Sequence, residues 1–300
     1  MPGVPIKMIW SREEDMTHGQ YRPISMCKMT ASLDENNRMT AMSVRLSGQS
    51  IYAWRNPSAK MEGFKDDFQL QGWFKSEESD QQLCYSVPHL SIEYAMRNTS
   101  IPVGTWRGVN VPQNAFYMEC FIEEVARAAQ QDSVAFRKSL MPTQTRQRAM
   151  LELAAEKGDW GKPMPRGKGR GVAVHESYDS IVGMIAEVAV TNGEVKVERV
   201  VIVCDCGTVV NPRGVETQLE GGMIYGLSAA LFGQITVKDG RVEQGNFDTY
   251  PVVRLKDAPK TEVYISPTPG KRWGGIGEPG ATMIQPAVTN AIFAATGRRL

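Results

Sequence analysis

The residues best placed to do chemistry stand together near the C-terminal end, in Gly274-Gly275-Ile276-Gly277-Glu278-Pro279-Gly280. Four glycines surround one carboxylate, and a proline follows it directly. Glycine permits backbone angles and close approaches that a Cβ forbids, while proline fixes its own φ and restricts the residue before it. A loop of this kind can hold one acid in a fixed pose beside something bulky. The chemistry that acid offers is proton abstraction, which makes Glu278 the candidate catalytic base. The same carboxylate could serve structure alone, accepting backbone N–H groups at a helix start. Gly275, Gly277 and Gly280 also satisfy G-x-G-x-x-G, but a dinucleotide fingerprint follows a strand and opens a helix. Here Ser266-Pro267-Thr268-Pro269-Gly270 precedes the glycines and Pro279 interrupts them, so that reading is rejected.

The elements that must position this loop can be read from pattern. Ser11-Arg12-Glu13-Glu14 is a helix-start signal after the apolar run Pro5 to Trp10. Residues 24 to 52 alternate, with Asn36-Asn37 as a hairpin turn, and Tyr85 to Tyr94 has strand character. The polar segment Asn56 to Gln82 reads as a long connection. Gly104-Thr105-Trp106-Arg107-Gly108 is a second glycine-flanked loop. It opens onto a helix from Gln113, with Met118, Phe121, Ile122, Val125 and Ala129 on one face. Asp132 caps a further helix, and Gln144 to Lys157 makes another that stops at Gly158. Gly161 to Gly171, rich in Gly, Pro and basic residues, has the composition of a linker. The chain is therefore divided into residues 1–165, mixed and then helical, and residues 166–300, with β texture.

In the second part, Asn192-Gly193 and Asp239-Gly240 each sit between two strand-like runs, the signature of type I′ hairpins. Asn211-Pro212 starts a helix that carries Gln218, Gly221, Gly222 and Gly226. Glycine costs about 1 kcal/mol against alanine inside a helix. Three of them predict that another helix or a ligand approaches this backbone closely. Pro286 begins the last helix and Gly297 ends it. The fold class is α+β, mixed sheets with flanking helices.

Composition narrows the functional classes. Three hundred residues with 42% apolar content can build sizeable cores, and a net charge of +1 lacks the basic footprint of a nucleic-acid binder. No apolar run approaches the ~20 residues that span a bilayer. The five cysteines (Cys27, Cys84, Cys120, Cys204, Cys206) are scattered, none in C-x-x-C, and there are three histidines. No zinc or iron–sulfur ligand set can be assembled from them, so a metal is expected to arrive on a cofactor.

Taken together, five stretches resemble the molybdenum-cofactor subunit of the xanthine oxidase and aldehyde oxidoreductase family, above all its isoquinoline 1-oxidoreductase β-subunit branch. They are VPIKMIWSREEDM (4–16), GTWRGVNVPQNAFYMECFIEEVA (104–126), RGVAVHESYDS (170–180), DCGTVVNPRGVETQLEGG (205–222) and GGIGEPGATMIQPAVTNAIFAATGRR (274–299). They are co-linear and cover nearly the whole chain. The resemblance implies a partial molybdopterin-binding domain over 1–165 and a second one over 166–300. It also implies water-derived hydroxylation of an aldehyde or N-heteroaromatic carbon at a molybdenum–molybdopterin cytosine dinucleotide. Glu278 would take the proton of the metal-borne hydroxyl. Arg107 and Gly108 match the arginine-glycine loop at the molybdenum centre, Gln218 the glutamine facing the pterin, and Gly275 and Gly277 the glycines of the cofactor-facing loop. Molybdenum would be held by the pterin and by no side chain. Expected partners are a [2Fe-2S] small subunit, which receives the electrons, and the upstream half of the same large subunit, of which this chain is the C-terminal portion. The alternative is a truncated, non-catalytic scaffold or assembly partner that keeps the fold.

Overall fold

The computed structural model describes residues 3–56, 66–73, 83–143, 145–268, 270 and 273–300. The long connection read over 56–82 falls largely outside the described residues, as does Gln144. Two sheets organise the chain. The first joins β1 (Ser25–Leu33) antiparallel to β2 (Met39–Gly48) across the Asn36-Asn37 turn, and β2 parallel to β3 (His89–Met96). Helix α1 (Arg12–Thr17) precedes it, capped as its sequence predicts by Ser11, whose hydroxyl accepts from Glu14 N–H at 3.2 Å. The short helix α2 (Ile51–Arg55) follows β2.

The second sheet has the order β4 (Lys168–Ser177), β5 (Ser180–Thr191), β6 (Glu194–Asp205), β9 (Lys260–Ile265), with only the β6–β9 pair parallel. Its strands are apolar on both faces, as a strand covered from two sides must be. Val172, Val174, Ile181, Ile185, Val201 and Val203 face one core, and Ala173, Val182, Met184, Ala186, Ile202 and Cys204 face the other. The first core is closed by α3 (Val111–Ala128), α4 (Ser133–Ser139) and α5 (Arg146–Lys157). The second is closed by α6 (Pro212–Leu231) and α7 (Ile284–Thr296). A minor hairpin, β7 (Val237–Lys238) with β8 (Arg241–Val242), hangs beyond α6. Among the described residues, no helix is long and apolar enough to cross a membrane.

Pattern and structure part company at the basic glycine stretch. Read as a linker, residues 161–171 end inside β4, with Gly169 and Gly171 buried against α7. These glycines serve close packing. The helices preceding the stretch share a core with strands that follow it, so residues on both sides of 165/166 are packed together. A fully buried ion pair adds to this joint. Arg137 on α4 meets Glu119 on α3 at 3.0 Å, and Glu119 also accepts from Tyr85 Oη and Val174 N–H. Both oxygens of that carboxylate find donors, the condition under which such a buried pair is tolerated.

Candidate active site

The Glu278 loop is fixed from four directions. Gly274 N–H donates to Cys206 O at the end of β6 (2.9 Å), and Gly275 N–H donates to Tyr178 O (2.7 Å). Ser180 Oγ donates to Gly275 O at 2.8 Å. The loop then turns into a single 3₁₀ turn, Pro279–Ala281, that lies on α6. Here the glycine-rich helix finds its explanation. A Cβ on Gly222 would stand 3.0 Å from Gly280 Cα, and one on Gly226 would stand 2.6 Å from Ala281 O. Two of the three helix glycines thus let the Glu278 loop lie directly on the helix backbone. The third, Gly221, faces open space.

The loop and α6 both meet the Gly104–Gly108 loop. Gly108, at φ 95°, turns its N–H onto Glu278 Oε2 at 2.9 Å. Arg107 Nε donates to Gly277 O at 2.6 Å, and its Nη2 donates to Gln218 Oε1 at 2.9 Å. Arg107, Gly108, Gln218, Gly277 and Glu278 therefore form one constellation, drawn from three distant parts of the chain. Gly275 stands apart, packed against the β4–β5 turn.

That turn carries a residue to which pattern reading gave no role. Tyr178 and Asp179 both have positive φ (53° and 60°), a type I′ turn built without glycine. The arrangement lays the Tyr178 ring under the Glu278 loop. Its buried hydroxyl lies against the Glu278 carboxylate without an aligned hydrogen bond, and burial first, then that carboxylate, pushes its pKa up. The only sequence signal is its place within the RGVAVHESYDS stretch. His175, in the same stretch, belongs to the core. Its ring abuts Gly72, neither nitrogen has a hydrogen-bond partner among the described residues, and burial pushes its pKa down to about 4.

Because the unfolded histidine titrates near 6.5, protons are taken up on unfolding between those two values. Stability is full above pH 6.5 and falls as pH drops toward 4. We expect a loss of about 2 kcal/mol between pH 7 and pH 5 from this group alone. Urea unfolding of the wild-type chain and of His175→Leu checks it. The variant should lose most of the slope in that window, and an unchanged slope would discard the assignment.

Residues 110–259, half of the chain, match the molybdopterin cofactor-binding domain family. The chain belongs to that family. The chain is 30% identical to the isoquinoline 1-oxidoreductase subunit beta of Brevundimonas diminuta, over 99% of its own length and 38% of that relative. It is 31% identical to the membrane-bound aldehyde dehydrogenase [pyrroloquinoline-quinone] of Gluconacetobacter polyoxogenes, over 99% and 41%. Its fold superposes on quinoline 2-oxidoreductase from Pseudomonas putida 86 with a TM-score of 0.75 at 14% identity, covering 96% of this chain and 61% of that one. The structural likeness, at 14% identity, concerns the fold alone. The chain spans about two-fifths of the length of these two curated relatives.

The constellation fits the family's cofactor in its chemistry. Gln218 Nε2 and Arg107 Nη1 are donors without an acceptor among the described residues, and Gly221 and Gly277 have no heavy atom where a Cβ would point. An acceptor-rich group bearing oxo and pterin atoms could be met by those donors across that space. Among the described residues no three His, Cys, Asp or Glu side chains are grouped to hold a metal ion.

Proposed function

We propose that this chain supplies the proton-accepting face of a molybdenum hydroxylase acting on an aldehyde or an electron-poor N-heteroaromatic carbon. The observation that carries it is the Glu278 carboxylate, held by Gly108 N–H through Oε2, with no hydrogen bond to Oε1 among the described residues. When bound, the molybdenum–molybdopterin group, in its cytosine dinucleotide form, supplies the redox chemistry. Glu278 accepts a proton at Oε1 as the water-derived oxygen is transferred, and one-point anchoring of its other oxygen keeps the acceptor aimed. Arg107 holds Gln218 and Gly277 in register and offers its remaining Nη1 to the cofactor, beside the amide N–H₂ of Gln218. A [2Fe-2S] subunit receives the electrons, and the upstream half of the large subunit completes the cofactor site. The second relative's name carries a quinone cofactor; the proposal follows the matched family, which is molybdopterin-binding.

Metal analysis tests this. The purified chain, co-expressed with an upstream half, should carry molybdenum near one per chain. Arg107→Met and Gln218→Ala should each weaken retention about tenfold, the worth of a charge-assisted hydrogen bond. Absence of molybdenum with and without the upstream half would favour the non-catalytic scaffold instead.

A further inference from the structure

Next to the constellation runs a series of four side chains that the proposed chemistry does not use in full. The Arg22 guanidinium lies 4.9 Å from the centroid of the Trp106 ring. Trp106 lies 4.7 Å from Tyr225 with the rings tilted by 30°, and the Arg107 guanidinium lies 5.8 Å from the Tyr225 centroid. The two arginines at the ends are treated differently. Arg107 donates to Gly277 O and Gln218. Arg22 has no hydrogen bond or ion pair among the described residues, and burial pushes its pKa below the ordinary arginine value. A half-buried guanidinium with its donors unused costs stability unless something else occupies them.

Arg22 and Trp106 line a cavity of about 420 Å³, within the range of small-molecule sites. Met16, Tyr21, Ile235 and Tyr250 line it too, with Gln20 and Asp15 as further polar groups. The wall is built into the fold. Tyr21 N–H donates to Pro102 O (2.9 Å), Gly104 N–H donates to Tyr21 O (2.9 Å), and Tyr21 Oη donates to Met16 O (2.7 Å). The Asp15 carboxylate is paired with Arg12 at 3.0 Å, both side chains being exposed to solvent.

We propose that this cavity binds a small aromatic carboxylate, its anionic group paired with Arg22 and its ring lodged among Trp106, Tyr21, Tyr250 and Ile235. The planar fork of a guanidinium matches a carboxylate in two parallel hydrogen bonds, which accounts for the unused donors. The aromatic and aliphatic walls account for a ring over a bare inorganic anion. The site goes beyond the proposed hydroxylation and needs no molybdenum.

The test is calorimetric titration of benzoate into the purified, metal-free chain. Acetate serves as the ringless anion and benzamide as the neutral ring. Benzoate should bind saturably. Benzamide should bind at least about tenfold weaker, as one charge-assisted pair is worth about that factor, and acetate at least about tenfold weaker because it buries no ring. Arg22→Met should lose the benzoate preference without lowering the unfolding temperature. Ile235→Trp, which fills the cavity and leaves Arg22 in place, should abolish binding and covers the case in which the methionine variant does not fold. No benzoate binding, equal binding by either variant, or acetate binding as tightly as benzoate overturns the site. Since no turnover is read, this result and the fate of the Glu278 proposal are independent.

Discussion

Glu278→Gln is expected to cut turnover per bound molybdenum by on the order of 10³-fold, within the range for loss of a positioned general base. The substitution is chosen from the geometry. Gly108 N–H needs an oxygen acceptor at the Oε2 position, 2.9 Å away, and the glutamine carbonyl can provide it. The loop would keep its anchors to Tyr178, Ser180, Cys206 and α6, since all of these are made by backbone or glycine contacts. Only proton affinity is removed. Glu278→Asp is the complementary probe. It keeps a carboxylate but, one methylene shorter, cannot reach Gly108 N–H and accept a proton at the same place. Its activity should fall between the two, with KM less affected than kcat. Turnover should be read together with metal content. A glutamine variant that holds molybdenum and turns over as fast as the parent would remove Glu278 from the chemistry.

Much of this arrangement was legible in the sequence where residue type alone forces a conformation. Asn192-Gly193 makes its I′ turn with φ values of 54° and 85°, Asn211 caps α6 through its side chain, and Gly297 closes α7 at φ 72°. Those residues act locally, so pattern reaches them. Helix α3 starts at Val111, two residues before the predicted Gln113; Asn110 makes no side-chain cap bond there, and Pro112 sits in the first turn. What pattern missed depends on contacts between distant segments. The Tyr178-Asp179 turn has positive φ at both positions with no glycine to announce it, and is held by Gly275 and Ser180. Gly169 and Gly171 look like linker glycines because nothing in ten residues of sequence reveals the helix that will lie on them. The glycines of α6 were readable as a close approach. That the approaching group is the Glu278 loop could be learnt only from the folded chain.

Gly171→Ala is the substitution with the largest expected effect on stability. A Cβ at this position would stand less than 3.0 Å from Ala291 N and from Ala287 O, both backbone atoms of α7. Backbone cannot swing aside as a flexible side-chain end can, so either β4 or α7 must translate. Neither is free to do so. Strand β4 is hydrogen-bonded to β5 along its whole length, and Asn290 of α7 is tied to Val172 O at 3.0 Å and to Glu119 O at 3.3 Å. Overpacking of a close-packed interior costs about 1–3 kcal/mol when side chains can adjust, and more when they cannot. We expect about 3 kcal/mol or more here, measured as a fall in the urea midpoint with an unchanged slope. The same exchange at Gly221, where a new Cβ meets nothing within 4 Å, should instead stabilise the chain by up to about 1 kcal/mol, the helix propensity of alanine over glycine. The pair separates contact from propensity, since the chemical change is identical and the expected sign is opposite. Helix α7 begins three residues after the 3₁₀ turn that carries Glu278, so a displaced α7 must also move the loop. A Gly171→Ala chain as stable as the parent would mean that α7 does not press on β4 this closely, and the rigid seat inferred for Glu278 would go with it.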